Sequence, residues 1–196
     1  IPVSYWNIRL RARLAVMKAM LYSFSTENGE YNRMEMDRHF ELLTSALIWM
    51  RESGNAELQS LVVHRFVGSA VAWGTPKQKR VAFELIEEFL PKVSSVGEGA
   101  RLKGSKGILI REESPTEAVQ LLEEAAETLE EFSPVDACYY WAWAATVQAE
   151  NGDTEGAAIS IGLAEVFSSS LGQFSNTKHI ENIFGRARDL VGIVEP

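Results

Sequence analysis

One cysteine, Cys138, stands in 196 residues, so no disulfide can close within the chain and the fold must hold by packing alone. A lone thiol favours a reducing setting, and the expectation is an intracellular, cytoplasmic one. Only six prolines and fourteen glycines are present, which leaves long stretches free to be helical and excludes collagen-like and low-complexity chains. No apolar run reaches the roughly 20 residues needed to cross a bilayer; the longest uncharged stretch, residues 137–149, is far short of it. The first apolar stretch carries Arg9, Arg11, Arg13 and Lys18, which a secretory leader's apolar core does not tolerate.

What is present is a core. Apolar residues make up 46% of the chain and charged residues 23%, a balance outside the disordered class. The net charge of −8 is unevenly laid out: residues 1–111 sum to +5 and residues 112–196 to −13. The whole chain should therefore repel nucleic acid and anionic membrane, while its first half need not.

The apolar residues recur at helical spacing. Leu10, Leu14, Met17 and Leu21 form one stripe, and Met36, Phe40, Leu43, Leu47 and Met50 a second. Leu58, Val62, Phe66, Ala70 and Trp73 make a third. Thr75-Pro76 opens a fourth helix with Ala82, Ile86, Phe89 and Val93 on one face. Asn28-Gly29 and Ser53-Gly54-Asn55 mark turns. Residues 97–107, GEGARLKGSKG, break the pattern and read as a basic, glycine-rich loop over 97–111, the best internal boundary in one otherwise continuous chain. After it, Ser114-Pro115-Thr116-Glu117 has capping-box spacing, with Ala118, Leu121, Leu122, Ala125 and Leu129 behind it. Ser133-Pro134 starts a further helix that Asn151-Gly152-Asp153 ends. Two more, over 154–168 and 176–194, finish the chain, and Ser168 to Ser170 look like a frayed helix end. Strand signals are nearly absent. The expected fold is all-α, with about eight antiparallel helices.

Residues 140–168 resemble one tetratricopeptide repeat, a helix-turn-helix unit. Trp141 sits at its early aromatic position, Ala144 and Ala145 at its small pair, Gly152-Asp153 at its turn, and Ala157 and Ala164 at the two small positions of its second helix. Gln148 replaces the usual aromatic. Ala118 and Ala125 repeat the seven-residue spacing upstream, so the resemblance extends over residues 115–194. It implies a non-enzymatic scaffold that binds a protein or peptide partner. A shorter likeness, LYSFSTEN at residues 21–28, is to a motif of the cis-prenyltransferases. That family's diphosphate-binding Asp-Gly-Asn-Gly-Arg motif is missing upstream, and Gly29 stands where a Trp follows, so no such activity is inferred.

Residues 99–106 have the two glycines of a phosphate loop, but Ser105 precedes Lys106, the reverse of the order that puts lysine on the terminal phosphates. None of His39, His64 and His179 has a Glu three residues before it, so the di-iron helix motif is absent. Cys138 lies beside two tyrosines and reads as a small buried hydrophobe. No catalytic residue, metal or cofactor is expected. The expected partner-binding residues are Tyr139, Tyr140 and Trp143 with the acidic Glu123 and Glu127. Arg9, Arg13, Lys77, Lys79, Arg80, Arg101, Lys103 and Lys106 are the candidate anion or nucleic-acid contacts. They carry the alternative reading: a nucleoprotein or coat-type homo-oligomer, in which positive and negative halves meet head to tail.

Overall fold

A computed structural model describes residues 3–24, 33–168 and 177–192. Among them it contains nine α-helices, one short 3₁₀ turn and no strand, so the fold is all-α. The Asn28-Gly29 turn, LYSFSTEN beyond Phe24, Ser169-Ser170 and the side chains of Leu21 and His179 lie outside the described residues. The chain divides into two compact units, Ile1–Ile86 and Glu87–Pro196.

The first unit holds α1 (Val3–Phe24), α2 (Arg33–Ser53), α3 (Ala56–Trp73) and most of α4 (Pro76–Phe89). The α2 stripe is buried as its spacing predicts, from Met36 to Met50, and so are Leu58, Val62, Phe66 and Ala70 of α3. Asn55 caps α3 by accepting from the Leu58 amide at 2.9 Å, and the preceding Gly54 turns with φ +60°, a conformation that favours glycine. At the start of α4, Thr75 and Gln78 cap each other, with the Thr75 amide donating to Gln78 Oε1 at 2.8 Å.

Helix α1 departs from its sequence reading. Its buried face is Ala12, Ala15, Val16 and Ala19, while Leu10, Leu14 and Met17 are 57%, 44% and 62% exposed. The small residues let the α1 backbone come close to α2. His39 marks that approach: Nδ1–H of α2 donates to the Ala19 carbonyl at 2.7 Å, so Nε2 is left to accept from the Ser69 hydroxyl of α3 at 2.8 Å. The ring packs edge-on against Phe40 and Trp73. It is a satisfied core histidine that ties three helices.

Burial holds the His39 imidazole below its ordinary pKa, against the smaller opposing pull of the Ala19 carbonyl. The unfolded chain therefore takes up this proton first, and stability falls as pH drops from about 6.5 toward the lowered folded value. Urea denaturation at about pH 7.5 and 5.5 should show a loss that is reduced in His39→Gln. That variant should also be about 1–2 kcal/mol less stable at the upper pH, having lost a two-sided buried bridge.

The second unit is two consecutive helical hairpins and a closing helix. A 3₁₀ turn, Leu90–Lys92, leads into α5 (Val96–Ile110), which pairs with α6 (Pro115–Leu129). Then α7 (Pro134–Glu150) pairs with α8 (Thr154–Ser168), and α9 (Thr177–Val191) packs on α7 and α8. The segment over 97–111, read from sequence as a loop and boundary, is instead helix α5, and the division between units falls at residues 86 and 87. Four helical glycines cost roughly 1 kcal/mol each relative to alanine, and close packing offsets this at two of them, Gly104 and Gly107. A Cβ on Gly104 would meet the Tyr140 ring at 2.5 Å, and one on Gly107 the Ala118 carbonyl oxygen at 2.9 Å. Ala100, Leu102, Ile108 and Ile110 are buried on the same helix, and Ser95 caps it. The predicted capping box of α6 does not form: Ser114 makes no side-chain cap bond, and Glu117 faces Lys106 instead.

Candidate functional site

Helix α7 turns Tyr139, Tyr140 and Trp143 toward the side where α5 runs, while Trp141, buried round the axis from them, donates its Nε1–H to Glu130 Oε1 at 3.3 Å. Residues 136, 139, 140 and 143 share that side because they are three or four apart. At one end of the seam Arg101 Nε of α5 donates to Asp136 Oδ2 at 2.7 Å, and the Ser133 hydroxyl donates to the same oxygen. At the other end the Arg111 guanidinium lies 5.0 Å above the Trp143 ring, anchored by donating to the Ile108 carbonyl at 2.7 Å. Between them Tyr139 packs edge-on against both Tyr140, at 5.2 Å, and Trp143, at 6.5 Å.

The three predicted aromatics have different jobs. Tyr140 is 5% exposed; its hydroxyl donates to the Arg101 carbonyl at 2.9 Å and lies beside Ser105. Burial holds that hydroxyl far above its ordinary pKa. Its role is to lock α7 onto Gly104 of α5. Tyr139 and Trp143 are half-exposed. Burial raises the Tyr139 hydroxyl to about 12, with the Arg111 cation pulling the other way. Trp143 Nε1 is the one buried side-chain polar atom among the described residues with no hydrogen-bond partner. The seam thus presents two aromatic surfaces, a stacked cation and an ion pair.

The predicted acidic contacts do not join it. Glu123 of α6 accepts from Gln148 Nε2 at 2.9 Å, and Gln148 Oε1 accepts from the Ser160 hydroxyl of α8 at 2.8 Å. Gln148 is five residues beyond Trp143, well round the α7 axis from it. Burial lifts the Glu123 carboxyl above its ordinary pKa; the Gln148 bond opposes this, and Glu127 and Asp153 add to it. Glu123 is therefore the end of a polar network joining α6, α7 and α8, and Glu127 is exposed nearby.

Most of the predicted anion contacts are already neutralised. In the second unit Arg101 pairs with Asp136, Lys103 with Glu124 at 3.3 Å, and Lys106 with Glu87 at 3.0 Å. In the first unit Arg13 pairs with Glu57 at 3.1 Å and Arg80 with Glu84 at 3.3 Å. Lys77 is exposed, and Arg9 and Lys79 are half-exposed. Arg111, which is not among the contacts expected from sequence, is the cation that joins the aromatic surface, placed there as the C-cap of α5.

A groove of about 510 Å³ in the first unit runs between α2 and α4, over Leu47, Ile48, Val81 and Leu85, with Arg51 and Glu84 at its rim. Among the described residues no three His, Cys, Asp or Glu side chains converge as a metal site. Comparison with protein-family models, curated proteins and solved structures finds no match to this chain.

Proposed function

We propose that the second unit is a tetratricopeptide-like interaction module, without catalytic activity, that binds a peptide or protein segment across the seam of α5 and α7. The observation that carries this reading is the register of its two hairpins. Ala118, Leu122 and Ala125 of α6 recur thirty-nine residues later as Ala157, Ile161 and Ala164 of α8, and all six are buried. Gly107 on α5 and Ala145 on α7 supply the small residue of each first helix at nearly the same spacing. Stacked repeats build extended binding surfaces, and here the first helices α5 and α7 bring together Arg111, Tyr139 and Trp143. Aromatic and arginine side chains are the usual anchors of such contacts.

A peptide library displayed against the full chain tests the proposal. Selected peptides should bind in the micromolar range and lose at least about tenfold in affinity to Trp143→Ala and to Arg111→Glu. No selected binders, or binders indifferent to both variants, would sink it. A nucleic-acid role draws less support, because Arg13, Arg80, Arg101, Lys103 and Lys106 spend their charge on carboxylates of this chain.

A further inference from the structure

Helix α1 has two apolar faces and fills only one. Ala12, Ala15, Val16 and Ala19 are packed away. Leu10, Leu14 and Met17, spaced four and three apart, stand on the opposite face at 57%, 44% and 62% exposure. Cations border that stripe on both sides: Arg11 and Lys18, both exposed, on one, and Arg13 on the other. Arg13 reaches Glu57 of α3, while Arg11 and Lys18 make no ion pair among the described residues. From Val3 to Phe24 the helix contains no acid at all.

We infer that this face of α1 lies on an anionic lipid surface. The occupant must be apolar at its centre and negative beside Arg11 and Lys18, which is the chemistry of acyl chains below acidic headgroups. A second copy of α1 would bring cation against cation. A protein that wraps a basic amphipathic helix would need its whole circumference, and the alanine face is already taken by this chain's own core. A planar surface needs only the exposed arc, with Arg11 and Lys18 extending outward from the apolar centre to the headgroups. No described helix is long and apolar enough to cross a membrane, so the contact is peripheral, the helix lying in the interface plane.

Sedimentation with vesicles tests this. The full chain is mixed with vesicles of pure phosphatidylcholine and of an equimolar mixture of phosphatidylcholine and phosphatidylserine, at low and high salt. It should sediment with the mixed vesicles only, and less at high salt. Leu14→Glu with Met17→Glu should lower binding at least about tenfold, as should Arg11→Glu with Lys18→Glu; both act on exposed positions, so circular dichroism and melting should match the wild type. Lys77→Glu with Lys79→Glu, which leaves α1 intact, should bind nearly as well as the wild type. Three results would overturn the inference: no sedimentation with the mixed vesicles, binding indifferent to the α1 variants, or equal loss in the α4 variant, which would mean unspecific charge attraction. A wild-type dimer that becomes a monomer in Leu14→Glu would assign the face to a second copy instead, and tight binding of an acidic amphipathic peptide with no vesicle binding would assign it to a protein.

Discussion

Gly104→Val should destabilise the second unit by at least about 3 kcal/mol, by overpacking and strain. Gly99→Ala, five residues earlier on the same helix, should stabilise it by roughly 0.5–1 kcal/mol. The contrast isolates packing. A side chain at 104 meets the Tyr140 ring at 2.5–2.7 Å. That ring has nowhere to go, because its hydroxyl is held by the Arg101 carbonyl at 2.9 Å. Nothing lies within 4 Å of a Cβ at Gly99, so there the gain in helix propensity is kept. Urea denaturation followed by circular dichroism reads both. Were the segment a solvated loop, neither substitution would matter much, and indistinguishable midpoints for the two variants would refute the helical packing described for α5.

The second large effect belongs to Gln148. Gln148→Ala should cost about 2–3 kcal/mol near neutral pH, because it removes the donor to a half-buried carboxylate and the acceptor of a buried hydroxyl together. Ser160 is 1% exposed, so water does not readily replace the lost partner. The cost should depend on pH. Burial already raises the Glu123 carboxyl in the folded state, so the folded chain holds this proton at a pH where the unfolded chain has lost it. The resulting penalty is present above the folded value and fades as pH falls through it toward the ordinary carboxyl range. Removing Gln148, whose hydrogen bond favours the charged form, enlarges the penalty. The variant's loss should therefore be smaller at about pH 5 than at about pH 7. Equal losses at the two pH values would show that Glu123 is not the group that feels the substitution.

The helices that the sequence announced most clearly are those where propensity and packing agree. α2 and α6 have aliphatic residues on one face and charges on the other, and their stripes are buried almost as read. Two helices defeated the reading for opposite reasons. α5 is hidden because its glycines are costly in any isolated helix; the nearness of Tyr140 and of the α6 backbone, both distant in sequence, makes two of them, Gly104 and Gly107, favourable. α1 is visible as a helix, but the spacing of its larger residues points to the wrong core face. The true core face is alanine and valine, chosen for closeness to α2 and not for area.

The candidate site was partly legible in the same way. The aromatic cluster on α7 is conspicuous in sequence, yet nothing local separates Tyr140, which is spent on Gly104, from Tyr139 and Trp143, which remain half-exposed. The basic residues were equally visible. Their carboxylate partners lie between 4 and 44 positions away, as in Arg80–Glu84 and Arg13–Glu57, so most of that neutralisation could not be seen from spacing.

The lone cysteine acquires a use from its place in the second unit. Helix α7 touches α5, α6, α8 and α9, and Cys138 on it is fully buried, its thiol donating to the Ala164 carbonyl of α8 at 3.3 Å and pushed up to about 11 by burial. A thiol reagent in solvent reaches that sulfur only after α7 and α8 have parted. The rate at which the reagent consumes the wild-type thiol is therefore a clock for the opening of the hairpin, built into the chain with no label added.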